Sequence, residues 1–118
     1  MKKTFKKQQT GIGELRTPVF FYKVSNFGPW PTDKGMEELL FTCYAEVYNP
    51  SMKDLEILRA NEVKSGVTIK IRDPLLDYFP ENTHLVRIED RRYKDVLWQI
   101  IDIRPDFDFI TLTLGVVQ

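Results

Sequence analysis

The chain has a single cysteine, a single histidine and no apolar run near the roughly 20 residues of a membrane span, and each shortage removes a class of function. Cys43 alone cannot close an internal disulfide or contribute to a thiolate metal cluster, which suits folding in a reducing cytoplasm. His84 alone cannot supply a multi-histidine metal site, and no oriented base and nucleophile are signalled around it. Lys+Arg and Asp+Glu are equal at 17 each, so no net field draws the molecule onto nucleic acid or an anionic membrane, and any such binding must be local. The first residues, Met1-Lys2-Lys3-Thr4-Phe5-Lys6-Lys7, have the charge of a signal peptide, but Gln8-Gln9-Thr10-Gly11 follows where the apolar segment would stand. The expectation is a soluble chain that is not exported and has no membrane partner.

What is present is enough apolar material, 42% with 13% aromatic in 118 residues, for one core. Residues 1–10 read as a flexible basic arm, and 11–118 as one domain. Val19-Phe20-Phe21-Tyr22-Lys23-Val24, opened by Pro18, suits a first or edge strand. Residues 25–38, with Gly28, Pro29, Pro31 and Gly35, read as a long loop. In 39–49, Phe41, Cys43, Ala45 and Val47 alternate with Thr42, Tyr44, Glu46 and Tyr48, which predicts a second strand with the first set inward. Ser51 can cap a helix with Asp54 near the positive end of its dipole, and Met52, Leu55, Leu58 and Ala60 extend helical spacing toward Val63. Val67, Ile69 and Ile71 predict a half-buried third strand. Residues 75–83 form a connection in which Leu75, Leu76, Tyr78 and Phe79 are candidates to fold back on the barrel mouth. Residues 85–89 and 93–104 read as a hairpin across Asp90-Arg91-Arg92, and 107–117 as a last strand after a Pro105-Asp106 turn. The fold class expected is mainly β: a small antiparallel barrel or sandwich of five to six strands, with one crossover helix and long loops.

No catalytic, cofactor-binding or metal-binding constellation stands out. His84 reads as a partly exposed residue before a strand, and Cys43 as buried filler. Asp102, Asp106 and Asp108 surround a turn, but they match no calcium-loop spacing and read as turn and edge carboxylates. The basic clusters, Lys2, Lys3, Lys6 and Lys7 in the arm and Arg91, Arg92 and Lys94 in the hairpin, are either phosphate contacts or solvated surface. Two segments are candidate partner interfaces. The long loop carries Phe27, Trp30 and Met36, which either cover the core or meet another chain. The helix offers Lys53, Asp54, Glu56, Arg59 and Glu62, with both signs of charge to set register with a neighbour.

The order of these pieces resembles the head-closure, or head–tail joining, proteins of tailed (siphovirus-type) phages and prophages. Four stretches carry the likeness: Ile12-Gly13-Glu14-Leu15-Arg16 before an aromatic strand, Cys43-Tyr44-Ala45-Glu46-Val47 before a turn and helix, Val67-Thr68-Ile69-Lys70-Ile71-Arg72, and Asp90-Arg91-Arg92-Tyr93 leading to Trp98-Gln99-Ile100-Ile101-Asp102-Ile103. It runs from Ile12 to the C-terminus. The hairpin turn departs from the family pattern in lacking its glycine, the 73–83 connection is longer, and loop 24–38 has its own sequence. The resemblance implies a structural virion protein, made in the host bacterial cytoplasm, that forms a ring at the head–tail connector. Its partners would be portal or adaptor proteins, tail proteins and further copies of itself, close to packaged DNA. A tail-completion or tail-terminator protein is the neighbouring alternative. A small nucleic-acid-binding barrel of the oligonucleotide-binding type, with Tyr44, Tyr48 and Lys70 as its stacking and charge face, is the alternative from another class.

Overall fold

A computed structural model describes residues 15–25, 36–63 and 65–116. The elements run β1 (Thr17–Ser25), β2 (Met36–Tyr48), α1 (Met52–Ala60), β3 (Gly66–Arg72), β4 (Leu85–Ile88), β5 (Trp98–Asp106) and β6 (Phe109–Val116). The strands close into a barrel in the order β1-β2-β3-β6-β5-β4, with every pairing antiparallel. Closure gives every strand two neighbours and shortens the free edges an open sheet would carry, although β2 pairs with β3 only over Ala45–Tyr48.

Alternation fills the interior. Val19 and Phe21 of β1, Ala45 of β2, Val67, Ile69 and Ile71 of β3, Val86 and Ile88 of β4, Trp98 and Ile100 of β5, and Ile110, Leu112 and Leu114 of β6 are all buried. Phe41, Cys43 and Val47 lean on this core half-buried, as their alternation predicts. Tyr78 closes the interior at one end, packed against Phe21 and stacked on Phe41.

Two bulges break the alternation. In β2 the register shifts opposite Phe21 and Tyr22, so Leu40 joins Phe41 against the core while Leu39 turns outward. In β5 the shift falls between Ile100 and Asp102. Strict alternation from Ile100 would send Asp102 and Arg104 inward. The extra residue, Ile101, turns Ile103 toward the core instead and places Asp102 and Arg104 on the outer wall. Asn82 holds this bulge, its side-chain amide donating to the carbonyls of Ile100 at 3.2 Å and Ile101 at 3.1 Å.

Several boundaries differ from those expected. The helix joins the antiparallel neighbours β2 and β3, as expected, but it stops at Ala60 with Asn61 as its cap, short of Val63. Its apolar spacing misled: Met52 and Leu55 face outward, and the buried positions are Asp54 and Leu58. The strands reach farther into the predicted 25–38 loop, so only 26–35 lies between β1 and β2. The hairpin is looser, since β5 begins at Trp98 and not at residue 93, with Tyr93 packed edge-on against Trp98. The last turn is Phe107-Asp108, because Pro105 and Asp106 still pair with Ile110 and Phe109. Of the four residues expected to fold back on the barrel mouth, only Tyr78 does; Leu75, Leu76 and Phe79 are exposed.

Candidate interaction surfaces

Antiparallel closure sorts the connections by end. Strand β1 ends and β2 begins at the same end of the barrel as connection 73–84 and the β5–β6 turn, the loop end. Helix α1 leaves and rejoins at the other, where connection 89–97 also lies. The helix and the strand ends that flank residues 26–35 therefore lie at opposite ends.

The helix is seated on the outer wall by a ladder of paired small residues. Gly66 and Gly115 are cross-strand partners, and two positions along Thr68 pairs with Thr113. Inward neighbours Val67 and Leu114 put both pairs on the outer face. Leu58 packs over Gly66 and Val63 over Gly115, each so closely that a Cβ on the glycine would collide with it. Over the threonine pair sits Asp54. Thr68 Oγ1 donates to Asp54 Oδ2 at 2.8 Å, Thr113 Oγ1 donates to Oδ1 at 3.3 Å, and the Ser51 amide donates to Oδ2 at 3.2 Å. The Arg104 guanidinium, carried outward by the β5 bulge, donates to Asp54 Oδ1 and, at 3.1 Å, to Thr113 Oγ1. Its Nε lies 3.1 Å from Asp102 Oδ2 without pointing at it, so that contact is an ion pair and not a hydrogen bond. Burial works against the Asp54 carboxylate, but hydrogen bonds from Thr68 and the Ser51 amide, with Arg104 beside it, outweigh burial and hold its pKa below the usual carboxylate range.

This corrects one predicted interface residue. Asp54 is 2% exposed and consumed inside the chain, because the N3 position of a capping box faces the sheet here. Lys53, Glu56, Arg59 and Glu62 are exposed on the helix and just beyond it. Phe27 and Trp30 lie outside the described residues. Met36 is the first residue of β2, opposite Ser25 at the loop end.

His84 is buried, not partly exposed. Its ring stacks on Tyr78, whose hydroxyl shares a 2.7 Å hydrogen bond with Nδ1. With that hydroxyl donating, Nε2 carries the proton and faces Glu81 Oε1 at 3.8 Å. Burial, with a smaller contribution from Lys23, lowers the imidazole pKa against the opposing pull of Glu81, and burial also raises the Tyr78 phenol. The sequence shows no sign of this pairing, since residues six apart in an irregular connection follow no periodicity. Burial pushes the Cys43 thiol up to about 12, so at neutral pH it is un-ionised.

The remaining sequence candidates do not converge. Among the described residues no three His, Cys, Asp or Glu side chains gather as a metal site, and Asp102 is spent on Arg104 while Asp106 and Asp108 face solvent. In the 89–97 connection Arg91, Arg92 and Lys94 are all exposed, and Arg92 is tied to Asp90 through backbone and side-chain hydrogen bonds. Of the proposed stacking face, Tyr44 is exposed beside an open 410 Å³ groove on β1 and β2, but Tyr48 is half-buried and shares a hydrogen bond with Thr111, and Glu46 stands directly across from Lys70. No helix is long and apolar enough to cross a membrane among the described residues.

The loop end presents an apolar surface that sequence reading assigned elsewhere. Leu76 and Phe107 are almost wholly exposed, Leu75 is 75% exposed and Phe79 69%. The Asp73 amide donates to the Asp108 carbonyl at 2.8 Å, which ties connection 73–84 to the β5–β6 turn. Leu75 and Phe107 both have left-handed backbones, with φ of 59° and 56°.

Together these features define a small closed antiparallel β-barrel with a helix fastened to its wall and an apolar rim at one end. No family model and no curated protein matches the chain. Among solved structures, the solution structure of protein SF1141 from Shigella flexneri 2a is similar in fold, with a TM-score of 0.54 at 19% identity over 91% of this chain and 96% of that one.

Proposed function

We propose that this chain is a head-closure protein of a tailed phage or prophage, a structural subunit of the ring between the portal or adaptor end of the head and the tail. The observation that carries the reading is the division of the barrel into two differently furnished ends. A joining protein has to meet different neighbours in opposite directions. Here one end carries exposed Leu75, Leu76, Phe79 and Phe107, and the other carries a wall-mounted helix with exposed Lys53, Glu56, Arg59 and Glu62. Closed barrels suit ring assembly by heterologous contacts, in which one face of a subunit meets a different face of the next. The four sequence stretches given above support the same reading.

The test is reconstitution: purified chain is added to DNA-filled heads and free tails of the phage whose genome carries it, and joined particles are counted by electron microscopy. The expected result is that the chain binds heads and restores joining, and that Trp30→Ala or Lys53→Glu with Arg59→Glu weakens joining while the melting curve is kept. Binding to isolated tails alone would make it a tail terminator. Salt-dependent binding to single-stranded DNA without any particle association would replace both readings with nucleic-acid binding.

A further inference from the structure

The apolar rim at the loop end is acidic. Asp77, Glu81, Asp106 and Asp108 are exposed in the same connection and turn as Leu75, Leu76, Phe79 and Phe107, and Asp73 is half-buried. The exposed cations at this end are Arg72 and Lys23, so carboxylates outnumber them. Two of the four apolar residues are held in left-handed backbone, a conformation costing roughly 1 kcal/mol or more for a residue with a side chain. The fold gains no burial from either, since both point into solvent. Surfaces that combine exposed aromatic and aliphatic groups with one sign of charge are completed by a partner of the opposite sign.

The chain itself contains a segment of that chemistry. Met1-Lys2-Lys3-Thr4-Phe5-Lys6-Lys7 brings four lysines, no carboxylate side chain and the apolar Met1 and Phe5. Segment 26–35 is nearer in the chain to the rim, but its single Asp33 and Lys34 cancel, so it offers no charge match. The place of attachment decides between one copy and two. The arm joins β1 at Thr17, at the end opposite the rim. At about 3.3 Å per residue the stretch from Lys7 to Thr17 spans at most about 35 Å, close to the roughly 30 Å length of β1, so seating the whole arm in cis, Lys7 included, demands a fully extended chain along the wall. Only Met1 to Phe5, about 40–55 Å of chain from Thr17, reach with slack. A neighbouring copy placed end to end carries its arm directly to the rim.

We propose that the Leu75/Leu76/Phe79/Phe107 rim binds the basic N-terminal arm of a second copy, a heterologous contact that propagates from subunit to subunit. It is independent of the phage reading, since a chain could self-associate this way in any setting. Sedimentation velocity over a wide range of protein concentration tests it with two full-length variants that leave the apolar residues in place. In one, Lys2, Lys3, Lys6 and Lys7 become Glu; in the other, Asp77, Asp106 and Asp108 become Lys. The expected result is concentration-dependent association of the unaltered chain that weakens on the order of tenfold or more in each variant alone and returns when the two are mixed, because the reversed arm then meets the reversed rim. Association that survives in both variants, a mixture that stays dissociated, or a chain that stays monomeric throughout overturns the proposal. A concentration-independent arm–rim crosslink within one chain overturns the second copy as occupant.

Discussion

Asp54 in the first turn of α1 and Arg104 near the end of β5, fifty positions apart, form the ion pair that fastens the helix to the barrel. Arg104 reaches the outer wall because Ile101 bulges, and Asp54 faces inward because Ser51 caps the helix above it. Removing Asp54 leaves two buried threonine hydroxyls and the half-buried Arg104 without their shared acceptor. Asp54→Ala is expected to cost about 3 kcal/mol in urea unfolding. Asp54→Ala with Arg104→Met should cost less than the sum of the single changes. Strict additivity in that cycle would mean the pair is not coupled.

Asn82 supports the same arrangement from the other side, by satisfying the two carbonyls at the bulge. Asn82→Ala is expected to lower stability by about 1 kcal/mol and to raise amide exchange in β5 around residues 100–102 ahead of β3. Uniform acceleration across all strands would contradict a local role.

The two wall glycines should respond differently to the same change. A Cβ at Gly66 would meet Leu58 at 2.3 Å and the backbone carbonyl of Leu114 at 2.8 Å, whereas at Gly115 it would meet only side chains, Val63 at 2.6 Å and Ile101 at 3.2 Å. Both Gly→Ala variants are expected to lose about 1–3 kcal/mol. Val63→Ala should recover part of the Gly115→Ala loss. Leu58→Ala should not recover that of Gly66→Ala, because the carbonyl remains in the way; thermal melts of the four proteins decide it.

Acid should destabilise the protein in two separate steps. The lowered imidazole pKa of His84 means the unfolded chain takes up a proton first, so stability falls as pH drops below about 6.5 toward the folded value. The depressed Asp54 carboxyl contributes stability at neutral pH that is lost as pH falls below about 4 toward its own folded value. His84→Gln is expected to flatten the first step and leave the second, as read from urea midpoints across pH. A first step unchanged in that variant would place it on another group.

Local chemistry determined much of the framework. Alternation of Val67, Ile69 and Ile71, and of Ile110, Leu112 and Leu114, requires a strand with one buried face, and Ser51 with Asp54 in sequence is enough for a capped helix start. The candidate surfaces were less legible, because exposure depends on what packs above a residue. Asp54 looked like a surface charge and is buried, while Leu75, Leu76 and Phe79 looked like core cover and are exposed. Which strand closes the barrel, and so which connections share an end, is a matter of pairing between distant segments, and no local pattern encodes it. The β5 bulge is the sharpest case: one unpaired residue reverses the facing of every side chain after it, and only the register with β6, held by Asn82, decides that Arg104 turns outward to meet the helix.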